Sequence, residues 1–121
     1  MAMAELSTQE VLSHLHAGLS LQRAELSTID LQGESLDHGN FEDAYLRKAK
    51  LVEASCQETN FSRATFVLAH MRGIVLQDAL LNQATLTQAD LRDANLIRIQ
   101  AKDAIFLWHG NGWVGGILRD I

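Results

Sequence analysis

Cys56 is the chain's one cysteine, so no disulfide can form within it, which fits a reducing compartment. No apolar run is longer than a few residues, and the first residues lack the basic stretch and apolar core of a secretory leader. A membrane span is therefore not expected, and a cytoplasmic location is. Cations are also in short supply: 10 Lys and Arg against 15 Asp and Glu leave a formal charge of -5. Proteins that track a phosphate backbone gather cations on one face, so direct nucleic-acid binding is not expected.

The groups that carry chemistry are no better assembled. Of His14, His16, His38, His70 and His109, none has a second ligand at metal-binding spacing. Gly110, Gly112, Gly115 and Gly116 do not follow a strand and open a helix, as a phosphate loop requires. Serines and threonines lack patterned His and carboxylate companions. Cys56 falls at an inward position of the repeat described next, where a thiol serves as a small core hydrophobe. No catalytic residue, cofactor or metal is expected, and the chain does not read as an enzyme.

What the sequence has in quantity is a period of five. From Leu21 to Phe106 every fifth residue is large and apolar, except Cys56 and Ala101. Leu26, Phe41, Leu46, Phe61, Phe66 and Leu86 lie in this series, and two residues before each centre runs a second series that is mostly alanine. On an α-helix such a spacing advances about 500° per step and leaves no buried stripe. On a flat strand, alternate centres would point to opposite faces. A backbone that turns a corner at each unit keeps every centre inside, and stacked coils bury one another's apolar edges.

The runs Ala84-Thr85-Leu86-Thr87-Gln88, Ala89-Asp90-Leu91-Arg92-Asp93 and Ala94-Asn95-Leu96 resemble pentapeptide-repeat proteins, whose units read Ala, Asp or Asn, Leu, then two variable residues. The resemblance covers eighteen tandem units. It implies an all-β solenoid, a right-handed quadrilateral β-helix with four units to a coil and about four and a half coils. The expected organisation is a capping helix in residues 1–18, the repeat over 19–108, and a tail over 109–121.

The ends follow other patterns. Ser7-Thr8-Gln9-Glu10 has capping-box spacing, Val11, Leu12 and Leu15 share a helical face, and Gly18 is a suitable stop. A helix over about residues 8 to 17 is expected to cover the open first coil. Val114, Ile117, Leu118 and Ile121 recur at helical spacing, so the tail either caps the last coil or pairs two towers as a homodimer. Glu34 occupies an alanine position, which calls either for a splayed first coil that lets it reach solvent or for a polar link to the capping helix.

Counting in twenties sorts inner and outer residues onto four faces, named here by their first centres. On the Leu21 face, small Gly39 and Thr59 accompany Phe41 and Phe61, and Leu19 belongs to the same inward column. The Leu26 face, with Leu46, Phe66, Leu86 and Phe106, has alanine two before every centre and places Tyr45, Val67, Leu68, Ile105, Leu107 and Trp108 outward beside Arg47 and Lys48. An apolar column of this kind ending in Trp is a candidate protein interface, with burial beneath the C-terminal tail as the alternative. The other faces interleave charges. That argues against the DNA mimicry by which some members of this family bind type II topoisomerases, because steering needs a coherent field. The segment Ser7–Leu12 with Ala17–Leu21 is also similar to the lead-in of pentapeptide-repeat proteins associated with bacterial type VI secretion, which would imply an adaptor for an effector or spike component. A protein partner of unknown identity is expected in either case.

Overall fold

The structure, a computed structural model, describes residues 5–107. Among these residues there is one helix, α1 (Thr8–His16), followed by a continuous coil of five-residue units. In α1 the Ser7 hydroxyl accepts from the Glu10 amide at 3.1 Å and the Glu10 carboxylate accepts from the Ser7 amide at 2.9 Å, closing the capping box. Those bonds from Ser7 hold the Glu10 carboxyl below its usual range. The helix ends in a Schellman turn. Gly18 takes φ +70°, its amide donates to the Leu15 carbonyl at 3.1 Å, and the Leu19 amide donates to the His14 carbonyl at 2.8 Å.

Each face of the coil contributes single bridging residues rather than long strands. Thirteen parallel bridges, from Glu25–Tyr45 to Thr85–Ile105, all join residues twenty apart, so four units make one coil. The described units from Leu21 to Ala101 turn in the same way. The Ala24 amide donates back to Leu21 and the Ala64 amide to Phe61, each at 3.0 Å, and the residue two after the centre takes positive φ. With φ positive only at the second central residue, the turns carry the type II signature. Glycine fills that place only at Gly33 and Gly73; fifteen other residues, Thr28 and Leu68 among them, adopt φ between 55° and 65° there. From Arg23 to Gln88 their amides are held by the next coil, as when Thr28 donates to Arg47 at 2.8 Å and Leu68 to Thr87 at 3.0 Å.

Among the described residues the coil ladder regularly leaves the amide of the residue after the centre without a backbone acceptor. A side chain two residues back often takes it: Asn60 accepts from Ser62 at 3.0 Å, Asn95 from Ile97 at 3.0 Å and Asp30 from Gln32 at 3.1 Å. This is the physical use of Asp or Asn before the central leucine.

The inward series forms one core. Leu26, Phe41, Leu46, Phe61, Phe66 and Leu86 are buried, as are the alanines that accompany them. Phe41 stacks on Phe61 with centroids 5.2 Å apart, and Phe61 meets Phe66 edge-on at 4.9 Å. Thr59, fully buried, donates its hydroxyl to the Leu36 carbonyl at 3.0 Å. Val11 of α1 is buried in this core, with Leu12 and Leu15 packed against it. Gly39 makes room for the helix: a Cβ there would stand 2.7 Å from Leu15 Cδ2 and 2.7 Å from Phe41 Cε2.

Two inward expectations are corrected, and Glu34 does not form the polar link offered as one of its two readings. Leu19 is 55% exposed, because its amide still belongs to the Schellman turn and the chain has not yet entered the coil. Phe106 and Ala101 are only half-buried, at the end of the described coil. Glu34 is half-buried and, among the described residues, its carboxylate bonds nothing in α1. The polar tie between α1 and the first coil is instead the Thr8 hydroxyl, which donates to the Asp30 carbonyl at 2.8 Å. Trp108 and the tail 109–121 lie outside the described residues.

Candidate protein interface

On the Leu26 face the outward residues descend in register. Glu25, Tyr45, Thr65, Thr85 and Ile105 are successive partners in one column of bridges. The Lys48 amide donates to the Val67 carbonyl at 2.9 Å and the Gln88 amide to the Leu107 carbonyl at 2.9 Å. Arg47 and Lys48 therefore sit one coil before Val67 and Leu68, with Thr87 and Gln88 separating these from Leu107. Tyr45, Ile105 and Leu107 are 42%, 45% and 66% exposed, while Val67 and Leu68 are half-buried. The structure thus brings Tyr45, Val67 and Leu68 into one patch and Ile105 with Leu107 into another. Ile97 on the opposite Leu36 face is also exposed. Its register position announced this, but the polar residues sharing its column, Asp37, Gln57 and Gln77, drew no attention to it.

On the other faces four arginines close on carboxylates. Arg63 pairs with Asp43 at 2.9 Å and with Glu42. Arg98 pairs with Asp78 at 2.7 Å, Arg92 with Asp90 at 2.7 Å and Arg72 with Asp93 at 3.1 Å. The hydrogen bonds from Arg98 and Arg92 hold the Asp78 and Asp90 carboxyls below their usual range. His38 Nδ1 stands 3.5 Å from Glu58, an ion pair only when the imidazole is protonated. Burial, with Asp37 nearby as a lesser cause, pushes the Cys56 thiol up and keeps it protonated. Among the described residues no group of His, Cys, Asp and Glu is placed to hold a metal ion, and no helix is long and apolar enough to cross a membrane.

The sequence profile of pentapeptide repeats matches residues 40–78 and 69–106, with eight copies. Among solved structures the chain is similar to the pentapeptide-repeat protein Rfr23 of the cyanobacterium Cyanothece 51142, at 25% identity and a TM-score of 0.54, over 75% of this chain and 61% of that one. It thus spans under two thirds of that protein's length. A pentapeptide-repeat protein of Nostoc Pcc 7120 is similar in fold, at 24% identity and a TM-score of 0.54, over 90% of this chain and 92% of that one. No curated protein matches the chain.

Proposed function

The chain belongs to the pentapeptide-repeat family, and on that premise we propose that it is a non-enzymatic scaffold that binds another protein through its Leu26 face. Its solved relatives make the solenoid a right-handed quadrilateral β-helix, a rigid post whose variable residues all point outward. One observation carries the reading: Tyr45, Ile105 and Leu107, three of the most exposed large apolar side chains described, share that face. Aromatic and aliphatic groups on an ordered surface are the usual anchors of a protein interface.

In this reading α1 with residues 1–18 caps the tower, residues 19–108 are the binding body, and 109–121 cap the last coil or join two copies. The type VI adaptor reading rests on the similarity of the leading segment. The topoisomerase reading is the weaker, because the paired arginines of the other faces break up any negative stripe. Affinity capture with mass spectrometry, comparing wild type with Leu68→Asp and Trp108→Ala at matched thermal stability, tests the scaffold. A partner lost from both variants supports the face. A set of partners unchanged by either variant sinks it, and inhibition of gyrase supercoiling would favour mimicry instead.

A further inference from the structure

Four of this protein's arginines are neutralised where they stand: Arg63, Arg72, Arg92 and Arg98 each hold a carboxylate of their own tower. Arg23, Lys50 and Lys102 have no such partner among the described residues, but each shares its face with several carboxylates, and the Leu26 face differs in that respect. Arg47 and Lys48 are adjacent and exposed, and among the described residues neither side chain has a hydrogen-bond or ion-pair partner. From Tyr45 to Leu107 no outward position of this face is Asp or Glu. The one carboxylate earlier on it, Glu25, is turned to its own backbone and accepts from the Ser27 amide at 2.8 Å.

These two cations border the apolar patch directly. The Lys48 amide bonds the Val67 carbonyl, so Arg47 and Lys48 lie one coil, about 4.8 Å, from Val67 and Leu68. Tyr45 stands two residues from Arg47 on the same coil. Two like charges side by side, with nothing to pair them, project an outward field from a surface that otherwise offers apolar contact. The complement of such a surface is a carboxylate pair beside an apolar anchor. A phosphate backbone is the other polyanion to consider, but two cations fall well short of the six to ten phosphate contacts, roughly, that hold a typical nucleic-acid complex.

We propose that Tyr45, Arg47, Lys48, Val67 and Leu68 dock an acidic, amphipathic protein segment, in which an aliphatic or aromatic side chain lies against Tyr45 and Leu68 while flanking carboxylates meet Arg47 and Lys48. This rests on the reading of the face as a protein interface and adds the chemistry of its partner. The protein itself supplies fold-safe variants. Glu42 occupies the position equivalent to Arg47, Glu53 and Glu58 that of Lys48, and Asp43 and Asp78 that of Leu68. Arg47→Glu with Lys48→Glu, and separately Leu68→Asp, therefore use residues this backbone already accepts at those turns.

The test selects peptides from a random displayed library on the immobilised full chain, then measures the enriched peptides and a fluorescent DNA oligonucleotide by anisotropy. The expected peptides place Asp or Glu beside an apolar residue. The charge reversal and Leu68→Asp should each weaken them by at least about tenfold, and added salt should weaken binding to wild type. If Leu68→Asp abolishes binding while the charge reversal leaves it intact, the interface stands and the acidic complement falls. Peptides indifferent to both variants, or no enrichment at all, overturn the interface together with its chemistry. Binding of the oligonucleotide in preference to the peptides overturns the protein segment in favour of nucleic acid.

Discussion

Gly39→Ala installs at an inward position the residue that the repeat itself favours there, and it should destabilise the protein. Its φ lies outside the left-handed region, so the backbone does not demand glycine; the space does. A Cβ at Gly39 would approach Leu15 Cδ2 and Phe41 Cε2 to 2.7 Å and the Leu36 carbonyl to 3.1 Å. Phe41 is fully buried and stacked on Phe61, so the strain falls on a packed ring and on the helix above it. Overfilling a packed core costs about 1 to 3 kcal/mol, and alanine returns about 0.4 to 1 kcal/mol by restricting the unfolded chain. The net loss is about 1 to 2 kcal/mol, a fall of roughly 3 to 10 °C in Tm. Urea titration followed by circular dichroism measures it, with m unchanged. In a Leu15→Ala background one of the two collisions disappears, so the cost should shrink by on the order of 1 kcal/mol. A Gly39→Ala protein as stable as wild type, or one equally destabilised in both backgrounds, would refute the packing of α1 over this glycine.

Three other outcomes are expected. Thr28, β-branched and at φ 64°, carries left-handed strain of about 1 to 2 kcal/mol. Thr28→Gly should relieve it at a backbone-entropy cost of about 0.5 to 1 kcal/mol, so its urea midpoint should rise or hold, not fall. Thr59→Val removes the buried hydroxyl's bond to the Leu36 carbonyl and should cost about 1 kcal/mol by the same titration, with Leu36 still bonded by the Gly39 amide. Asp78 and Asp90 have depressed pKa values from Arg98 and Arg92, so their contribution is complete above the ordinary aspartate range, about pH 4, and is lost as pH falls through the lowered values. Stability from pH 7 to 2 should therefore fall below about pH 4, and less in Asp78→Asn with Asp90→Asn. The effect is small because both pairs face solvent.

The architecture was legible because a period of five has few solutions: Leu26, Phe41, Phe66 and Leu86 could share an interior only if the chain turned at every unit. The capping box and Gly18 were equally readable, since both are local patterns. What escaped were features that depend on neighbours twenty residues away. The turn residues gave no glycine signal, because the next coil holds the strained amides of Thr28 and Leu68 by hydrogen bonds. The pairing of Arg98 with Asp78 and of Arg63 with Asp43 joins residues twenty apart and depends on side-chain directions that a count of positions does not give. Leu19 fell into the inward register by count alone, whereas the Schellman turn decides its exposure. The apolar face was legible in its column, and the interruption at Thr85, Thr87 and Gln88 that divides it into two patches follows from the same count, but the half-burial of Val67 and Leu68 does not.

The most direct test of the scaffold reading places a photo-crosslinking residue at position 45, and in a second protein at position 58 on the opposite Leu36 face, then irradiates both in living cells. Tyr45 and Glu58 are both exposed, so access does not bias the comparison. A discrete protein adduct from position 45 and none from position 58 is the predicted result. Adducts from position 58 alone, or equal adducts from both faces, would contradict the assignment of binding to the Leu26 face.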